Sequence, residues 1–340
     1  MIKNDRTWEE LIECARWCAS PHNIQPWKIK IVSETEAHLF YDPTRLLRDT
    51  DPTSRFTILG LGMFIECLNI AAYSYRLEVH AEHEAEQMLD YSYGDPKLFA
   101  KLTLHPSAER ENEFDAKLIK QRRTSRLHYN GKAVGADVLD SLSSIAHGFG
   151  HSFTHTSDSE MVKFIVGLNR ETLFLDLDND KGRTELSGWI RTSVRQAAEK
   201  RDGLWSRAMR FPGWVMQNFF FHHERFRNPV LRKILGWVYI RSMKGTRTVG
   251  WLRGAFDSRA DWVAAGVLLQ RLWLEMTKYN VYLHPFGSVV TNPVSHARFI
   301  SHMGFTENSN DRLWLLMRLG YSDEPPRSYR LTTEEILLPR

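Results

Sequence analysis

Cysteine is scarce here: three in 340 residues, at positions 14, 18 and 67. An odd, unpatterned set excludes a disulfide framework. Cys14 and Cys18, four apart on an expected helix, have no nearby partners to complete a zinc site. The three read as reduced thiols in a cytoplasmic protein, and no metal is expected. Long apolar runs are missing too. The longest, Phe56 to Ala72, carries Glu66 and Asn69 and falls short of the roughly 20 residues a bilayer demands, so it reads as a core helix. The opening Met-Ile-Lys-Asn-Asp-Arg leads straight into an amphipathic helix without a signal peptide's apolar core. Charge is not one-sided: 45 basic against 41 acidic residues leave +4, which mildly favours anionic ligands and gives no ground for nucleic-acid binding. No glycine-rich dinucleotide fingerprint is visible.

What is present is an ordinary globular composition, 42% hydrophobic and 25% charged, in a chain long enough for two domains. Thr7-Trp8-Glu9-Glu10 reads as a capping box with Thr7 as N-cap, followed by Trp8, Leu11, Ile12, Ala15 and Cys18 at helical spacing. Ser20-Pro21 ends that helix. Lys28–Val32 and Ala37–Tyr41 read as a hairpin, Phe56–Ser74 as a helix, and Leu77–Ala81 and Lys101–Leu104 as strands. The boundary between halves is expected at the polar stretch Ala108–Glu113, giving halves 1–108 and 109–340. The second half reads as helices at Phe114–Gln121, Asp137–Ala146 and Ser159–Phe174, with a strand at Phe153–His155. After an aromatic-rich insertion, 183–254, come the helix Asp261–Lys278 and strands at Val281–Leu283 and Arg312–Leu319, with a short helical tail.

The halves echo each other. Gly62-Met63-Phe64-Ile65-Glu66-Cys67-Leu68 aligns with Gly266-Val267-Leu268-Leu269-Gln270-Arg271-Leu272, and the same offset pairs Tyr75 with Tyr279, Val79 with Leu283 and His80 with His284. Each is a glycine-bearing apolar helix running into a strand, although two amphipathic helices can also match by chance. A duplicated unit keeps within one chain the two-fold interface that a homodimer builds from two, which implies a monomer.

Two stretches carry the chemistry. Ser20-Pro21-His22-Asn23-Ile24-Gln25-Pro26-Trp27 is small, kinked and amide-bearing, suited to close approach to a flat polar ligand. Arg122-Arg123-Thr124-Ser125-Arg126 is a cluster of guanidinium groups of the kind that grips phosphate. S-P-x-N-x-Q-P-W followed by R-R-T-x-R resembles the nitroreductase superfamily of FMN enzymes. The reversed order of the two motifs and the long chain resemble its tandem, single-chain (Acg-like) branch. The resemblance implies an α+β, nitroreductase-like fold duplicated within one chain, with central antiparallel or mixed sheets flanked by helices and an inserted helical lid.

By that resemblance Arg122, Arg123 and Thr124 hold the FMN phosphate and nearby polar atoms. Arg126 lies by the flavin N1–C2 carbonyl, where a fixed cation stabilises charge that develops on reduction. Ser20, Pro21 and Asn23 contact the flavin, while Gln25 and Trp27 brace the loop. Pro285, Phe286 and Gly287 lie along the ring system with a backbone N–H toward N5, and Arg327 and Arg330 complete the phosphate site. Arg126, Phe286 and Gly287 are the catalytic candidates. The bland alternatives are a solvated basic helix end for the Arg cluster and a surface tail for Arg327 and Arg330. The loop does not recur in the second half, where Gly148–Phe153 stands in its place, so one site is expected.

The implied activity is two-electron hydride transfer through flavin N5 on a small aromatic or conjugated substrate, with NADH or NADPH as a candidate donor. The alternative is a flavin-storing or sensing protein with a covered flavin. The 183–254 insertion interleaves Trp189, Trp205, Trp214, Phe219, Phe220, Phe221, Trp237 and Tyr239 with arginines and lysines. It reads first as a lid over the flavin, and membrane contact by the 200–250 segment is the second reading. Nucleic acid is not an expected partner.

Overall fold

In the computed structural model, residues 6–84, 88–107, 113–224 and 228–339 are described. Expectations for residues 1–5, for 108–112 of the boundary stretch, and for Arg225 and Arg227 lie outside them. Arg6–Ala15 forms α1, and its stripe of Trp8, Leu11, Ile12 and Ala15 is fully buried, as is Cys18 just beyond it. Because the helix already includes Arg6, Thr7 lies inside it rather than capping it. After a short 3-10 turn at Pro21–Asn23 come β1 (Trp27–Ile31), β2 (Glu36–Tyr41), α2 (Arg55–Tyr73), β3 (Leu77–His83), β4 (Lys97–Pro106) and α3 (Lys117–Gln121).

α2 is apolar all round because it is buried all round, with Ile58, Leu61, Phe64, Cys67 and Leu68 among its fully enclosed side chains. Ser54, at its N-cap, is left-handed and makes no side-chain cap. The capping is done by Asp51, whose carboxylate accepts from the Phe56 and Thr57 amides and the Thr57 hydroxyl. Burial pushes that carboxyl up to about 6 even so.

The chain continues with α4 (Ala136–Gly148), β5 (Ser152–Thr156), α5 (Ser159–Asp178), α6 (Asp180–Gly188), β6 (Ile190–Arg191), α7 (Val194–Lys200), β7 (Leu204–Trp205), α8 (Ser206–Met209), α9 (Gly213–Phe221), α10 (Pro229–Ser242), β8 (Thr248–Gly254), α11 (Arg259–Lys278), β9 (Tyr282–Pro285), α12 (Gly287–Thr291), α13 (Pro293–Met303), β10 (Arg312–Gly320) and α14 (Thr333–Ile336). The true capping box is on α14, where Thr332 and Glu335 cap each other reciprocally.

Two compact units result. The first takes residues 1–122, 258–274 and 329–340, and the second takes 123–257 and 275–328. The division therefore falls later than 108/109, and two distant segments rejoin the first unit. The first unit's sheet runs β1-β2-β4-β3 and the second's β5-β8-β10-β9, every adjacent pair antiparallel. Numbered within its own unit, each sheet has the order 1-2-4-3, with a long helix, α2 or α11, between its second and third strands. The architecture is α+β. Chain segments cover two sheet edges, which would otherwise expose unpaired backbone groups: Leu337 bridges Ile29 on β1, and Thr124 bridges Leu283 on β9.

The 183–254 insertion is corrected at both ends. Its last seven residues are β8, a buried strand at the centre of the second sheet. The extra material instead separates β5 from β8, where the first unit has a hairpin joining β1 to β2. It consists of α5 to α10 with the two-residue parallel pair β6–β7, pinned by a buried ion pair between Arg191 and Asp202 at 2.6 Å.

In the first unit α2 meets α11 with almost no side chain between them. A Cβ on Gly62 would lie 2.4 Å from the Val263 carbonyl oxygen, and one on Gly266 would lie 2.2 Å from that of Leu59. The offset that pairs Gly62 with Gly266 also pairs Leu59 with Val263, so the contact is reciprocal, as an isologous crossing must be. Gly62→Ala and Gly266→Ala should therefore each destabilise the protein by about 1–3 kcal/mol through backbone displacement. Gly167→Ala in α5, where nothing lies within 4 Å, should be neutral or stabilise by up to ~1 kcal/mol. Urea unfolding of the three variants would refute the close-crossing account if they behaved alike.

Candidate functional site

In the first unit the Ser20–Trp27 loop is held in a costly backbone conformation. His22, Asn23 and Gln25 all have positive φ, at 47°, 59° and 49°, a region non-glycine residues seldom occupy. Internal bonds keep it there: the Gln25 amide donates to Ser20 Oγ at 3.0 Å, and Gln25 Nε2 to the Asn23 carbonyl at 3.3 Å. The C-terminal segment clamps it from outside, with Leu331 N–H donating to Gln25 Oε1 at 2.8 Å and Asn23 Nδ2 donating to the Tyr329 carbonyl at 3.1 Å. Trp27 stacks on Phe64 of α2 at 4.5 Å. Pro21 lies over Gly60, where an added Cβ would come within 3.3 Å of its ring.

Two of the expected phosphate ligands come to this loop. Arg122 Nη2 donates to the Trp17 carbonyl at 3.3 Å, with its guanidinium 4.3 Å from the Trp273 ring centre. Arg330 Nε donates to the next carbonyl, that of Cys18, at 3.1 Å. Two cations thus reach the successive Trp17 and Cys18 carbonyls, one residue short of Ser20. Two of the nearby thiols, Cys14 and Cys67, are not activated. Burial pushes Cys14 up to about 11 and raises Cys67 well above the usual thiol range.

In the second unit Arg123 is engaged by Glu324 and donates to the Pro325 carbonyl at 2.8 Å. Arg327 is held below its ordinary range by burial and by Arg123. Thr124 and Ser125 run along β9, with Ser125 N–H donating to the Leu283 carbonyl at 3.1 Å.

Arg126 is half-buried, and among the described residues its guanidinium has no hydrogen-bond or ion-pair partner. Burial, with Arg318 adding to it, brings it down to about 10. Arg318, fully buried on β10, stacks on Tyr129 at 4.2 Å and donates to the Leu127 carbonyl at 2.9 Å and to Thr246 Oγ1 at 3.1 Å. Tyr129 and Tyr239 are both pushed up to about 12 by burial, and His284 is pushed well below 6.5 by burial and the two arginines. Among the described residues no carboxylate perturbs any of the five. A desolvated cluster with two guanidinium groups and no acid favours an anion or a polarised carbonyl.

The 285–287 loop needs correction. Phe286 is 1% exposed, its ring edge-on to His284, and its N–H donates to the Leu316 carbonyl at 2.7 Å. It can offer neither that N–H nor its ring face to a ligand. Pro285 is the last residue of β9, paired with Met317. Gly287 opens α12, with nothing within 4 Å of its Cβ position, and its N–H is the donor that remains in this loop.

The Gly148–Phe153 stretch, expected from the sequence to stand where the Ser20–Trp27 loop would recur, is filled by its own side chain. His151 is buried against Gly254 and accepts from Trp314 Nε1 at 3.1 Å. Sequence reasoning missed Arg318 and Tyr129. The available signal was an arginine alone inside the apolar strand Leu313-Trp314-Leu315-Leu316-Met317-Arg318-Leu319. The lid aromatics also divide. Trp205 is buried and Tyr239 reaches the Arg126 cluster, but Trp214 and Trp237 are turned out to solvent.

Among known proteins, no family profile matches the sequence, and no curated protein does. Solved structures do. The chain is similar to an FMN-dependent nitroreductase, NfnB, of Mycobacterium smegmatis solved in complex with NADPH, at 16% identity over 66% of this chain and 97% of that one, TM-score 0.37. It is similar to a nitroreductase-like protein of Bacillus cereus at 16% over 66% and 94%, TM-score 0.35. A nitroreductase of Desulfitobacterium hafniense with bound FMN is 13% identical over 66% and 97%, TM-score 0.37.

Two predictions follow from the Arg126 cluster. The folded state keeps His284 neutral where the unfolded chain takes up a proton, so stability is lost as pH falls below about 6.5, at up to ~1.4 kcal/mol per pH unit. His284→Gln should remove that loss. The difference in unfolding free energy between variant and wild type should therefore shift in the variant's favour from pH 7 to pH 5, and a constant difference would refute it. Arg126→Met should raise the unfolding midpoint of ligand-free protein, since it removes an uncompensated, partly desolvated charge, by roughly 1 kcal/mol. A fall in the midpoint would mean that the guanidinium is satisfied in the empty protein.

Proposed function

We propose that this chain is an FMN-dependent oxidoreductase of the nitroreductase superfamily, built by internal duplication and retaining one flavin site. The observation that carries the reading is the convergence of Arg122 and Arg330 on the Trp17 and Cys18 carbonyls, just before a loop whose sequence bears the family motif. The shared 1-2-4-3 strand order of the two sheets supports the duplication. Three thiols with no disulfide among them suit a cytoplasmic protein.

The donor set fits FMN chemically. Arg122 and Arg330 supply charge-assisted bonds of the kind a phosphate dianion takes. Ser20, Pro21 and Asn23 present a rigid, largely desolvated edge to a flat ring. In the second unit Arg123, Thr124 and Arg327 are the further phosphate and polar-edge candidates, the first two already tied down by Glu324 and by β9.

When bound, FMN supplies two-electron chemistry, taking and giving a hydride at N5. The protein's part is electrostatic. Arg126, with no acid partner among the described residues, would stabilise the negative charge that FMN develops on reduction, and the neighbouring Arg318 would add to that positive region. The Gly287 N–H is the backbone donor of this loop that could serve the flavin. Neutral His284 and the two high phenols are poor proton relays near neutral pH, so this reading gives them no proton-transfer role. A small conjugated or aromatic acceptor, with NADH or NADPH as the donor, is the substrate class this reading carries.

Purified protein should hold one FMN per chain. Arg122→Ala and Arg330→Ala should each weaken binding by ~1.5–3 kcal/mol, while Arg126→Ala should lower the flavin midpoint potential. Flavin extraction, equilibrium titration and spectroelectrochemistry check these in turn. Two flavins per chain would overturn the single-site reading. Unchanged affinity in both phosphate variants would overturn the assignment of Arg122 and Arg330.

A further inference from the structure

We propose that the outer face of α9 and α10 docks the protein on an anionic lipid surface. α10 carries its apolar stripe on the wrong side for a soluble helix. Val230, Leu231, Ile234, Trp237 and Val238 recur at one-, three- and four-residue steps and are all exposed, Ile234 at 52% and Trp237 at 61%. The opposite side of the helix is the one that packs within the second unit. Gly236 sits against Phe174, Tyr239 accepts from Asn169, Arg232 pairs with Asp178, and Met243 is buried. With its inward side settled by these contacts, the helix cannot roll to hide the stripe. α9 repeats the pattern in brief, exposing Trp214 at 69% and Phe221 two turns further on. An exposed apolar area of this extent in one segment marks an interaction surface.

Charge selects the occupant. From Leu204 to Arg247 the sequence has nine arginines and lysines and one acid, Glu224. That local +8 stands in a chain whose total is +4, so the remainder is net acidic. Lys233, Arg241 and Lys244 are exposed around the stripe, and Arg241 lies 5.3 Å over the Trp237 ring. A second copy of the chain would bring basic against basic across a two-fold contact. Single-stranded nucleic acid needs aromatic platforms, whereas this stripe is mostly aliphatic. An anionic bilayer meets both demands: the aliphatic residues enter the acyl boundary, tryptophan sits at the headgroup level, and the flanking cations meet lipid phosphates.

The test is flotation of the full-length protein with vesicles of phosphatidylcholine alone or mixed with phosphatidylglycerol, at low salt and at 0.5 M salt. Binding should favour the anionic vesicles by about tenfold or more and weaken in high salt. Ile234→Ser with Trp237→Ser should abolish it, as should the Gln triple variant at Lys233, Arg241 and Lys244. All five side chains are exposed, so both variants should unfold at the wild-type midpoint. Absence of flotation, or equal binding to both vesicle types, overturns the proposal. So does a lipid-free dimer, or binding of a single-stranded oligonucleotide, that the Ile234/Trp237 variant removes.

Discussion

The glycine crossing of α2 and α11 is the constraint on which the first unit depends. Two long apolar helices approach until backbone carbonyls occupy the space of missing side chains at Gly62 and Gly266. That contact fixes α11 against α2 although the helix lies two hundred residues away in sequence. It also explains why a segment from the later half of the chain belongs to the first compact unit. Ion pairs lock the same crossing laterally: Arg271 of α11 donates to Glu66 of α2 and to Glu113, both at 2.7 Å. Burial raises the Glu66 carboxyl and the Arg271 guanidinium offsets only part of that rise, so Glu66 without its partner would be costly. The repeat aligns Glu66 with Gln270, not with an acid, which means that the ion pairing is one-sided even where the steric contact is reciprocal.

The same asymmetry runs through the candidate site. In the first unit, strain at His22, Asn23 and Gln25 is held by bonds from Leu331 and Tyr329, so the chain's end stabilises a conformation formed near its start. In the second unit the equivalent stretch has no such loop, and His151 fills the space. Here the stored cost is electrostatic instead of conformational: Arg126 and Arg318 are desolvated with no acid beside them among the described residues. Backbone strain and unbalanced charge both oppose folding and both suit ligand binding, the exchange expected where function sets local structure.

Much of this was legible from periodicity. The α1 stripe, the β1–β2 hairpin and the helix-to-strand junctions at Leu77 and Tyr282 follow from spacing that burial enforces. Three features did not show. β8 reads Thr-Val-Gly-Trp-Leu-Arg-Gly and is buried on both faces, so it lacks the alternation of a half-exposed strand and merges with the aromatic insertion before it. Thr7-Trp8-Glu9-Glu10 satisfies the capping-box pattern, yet the helix starts earlier, whereas Thr332-Thr333-Glu334-Glu335 forms the box on a single turn. The pattern states that two residues can cap, not that the helix begins there. Left-handed backbone at Gln25 has no propensity signal, because it is held by local bonds to Ser20 and Asn23 and by the distant Leu331.

The insertion joins these observations. Its inward contacts are specific and polar: Asn169 to Tyr239, Asp178 to Arg232, Arg191 to Asp202. Polar bonds of this kind set register, since each is lost if a helix slides or rolls, the Asp178–Arg232 pair doing so from a partly exposed position. They fix α10 with Tyr239 facing Arg126 and, by the helical period, with Trp237 and Ile234 facing out. A helix stabilised by burying its apolar side would have chosen the opposite roll. That it has not means the outward stripe is kept at a cost in solubility, and the basic residues around it offset part of that cost by keeping like-charged copies apart. One side of a single helix therefore completes the Arg126 cluster while the other presents tryptophan, aliphatic side chains and cations to whatever surface the protein meets.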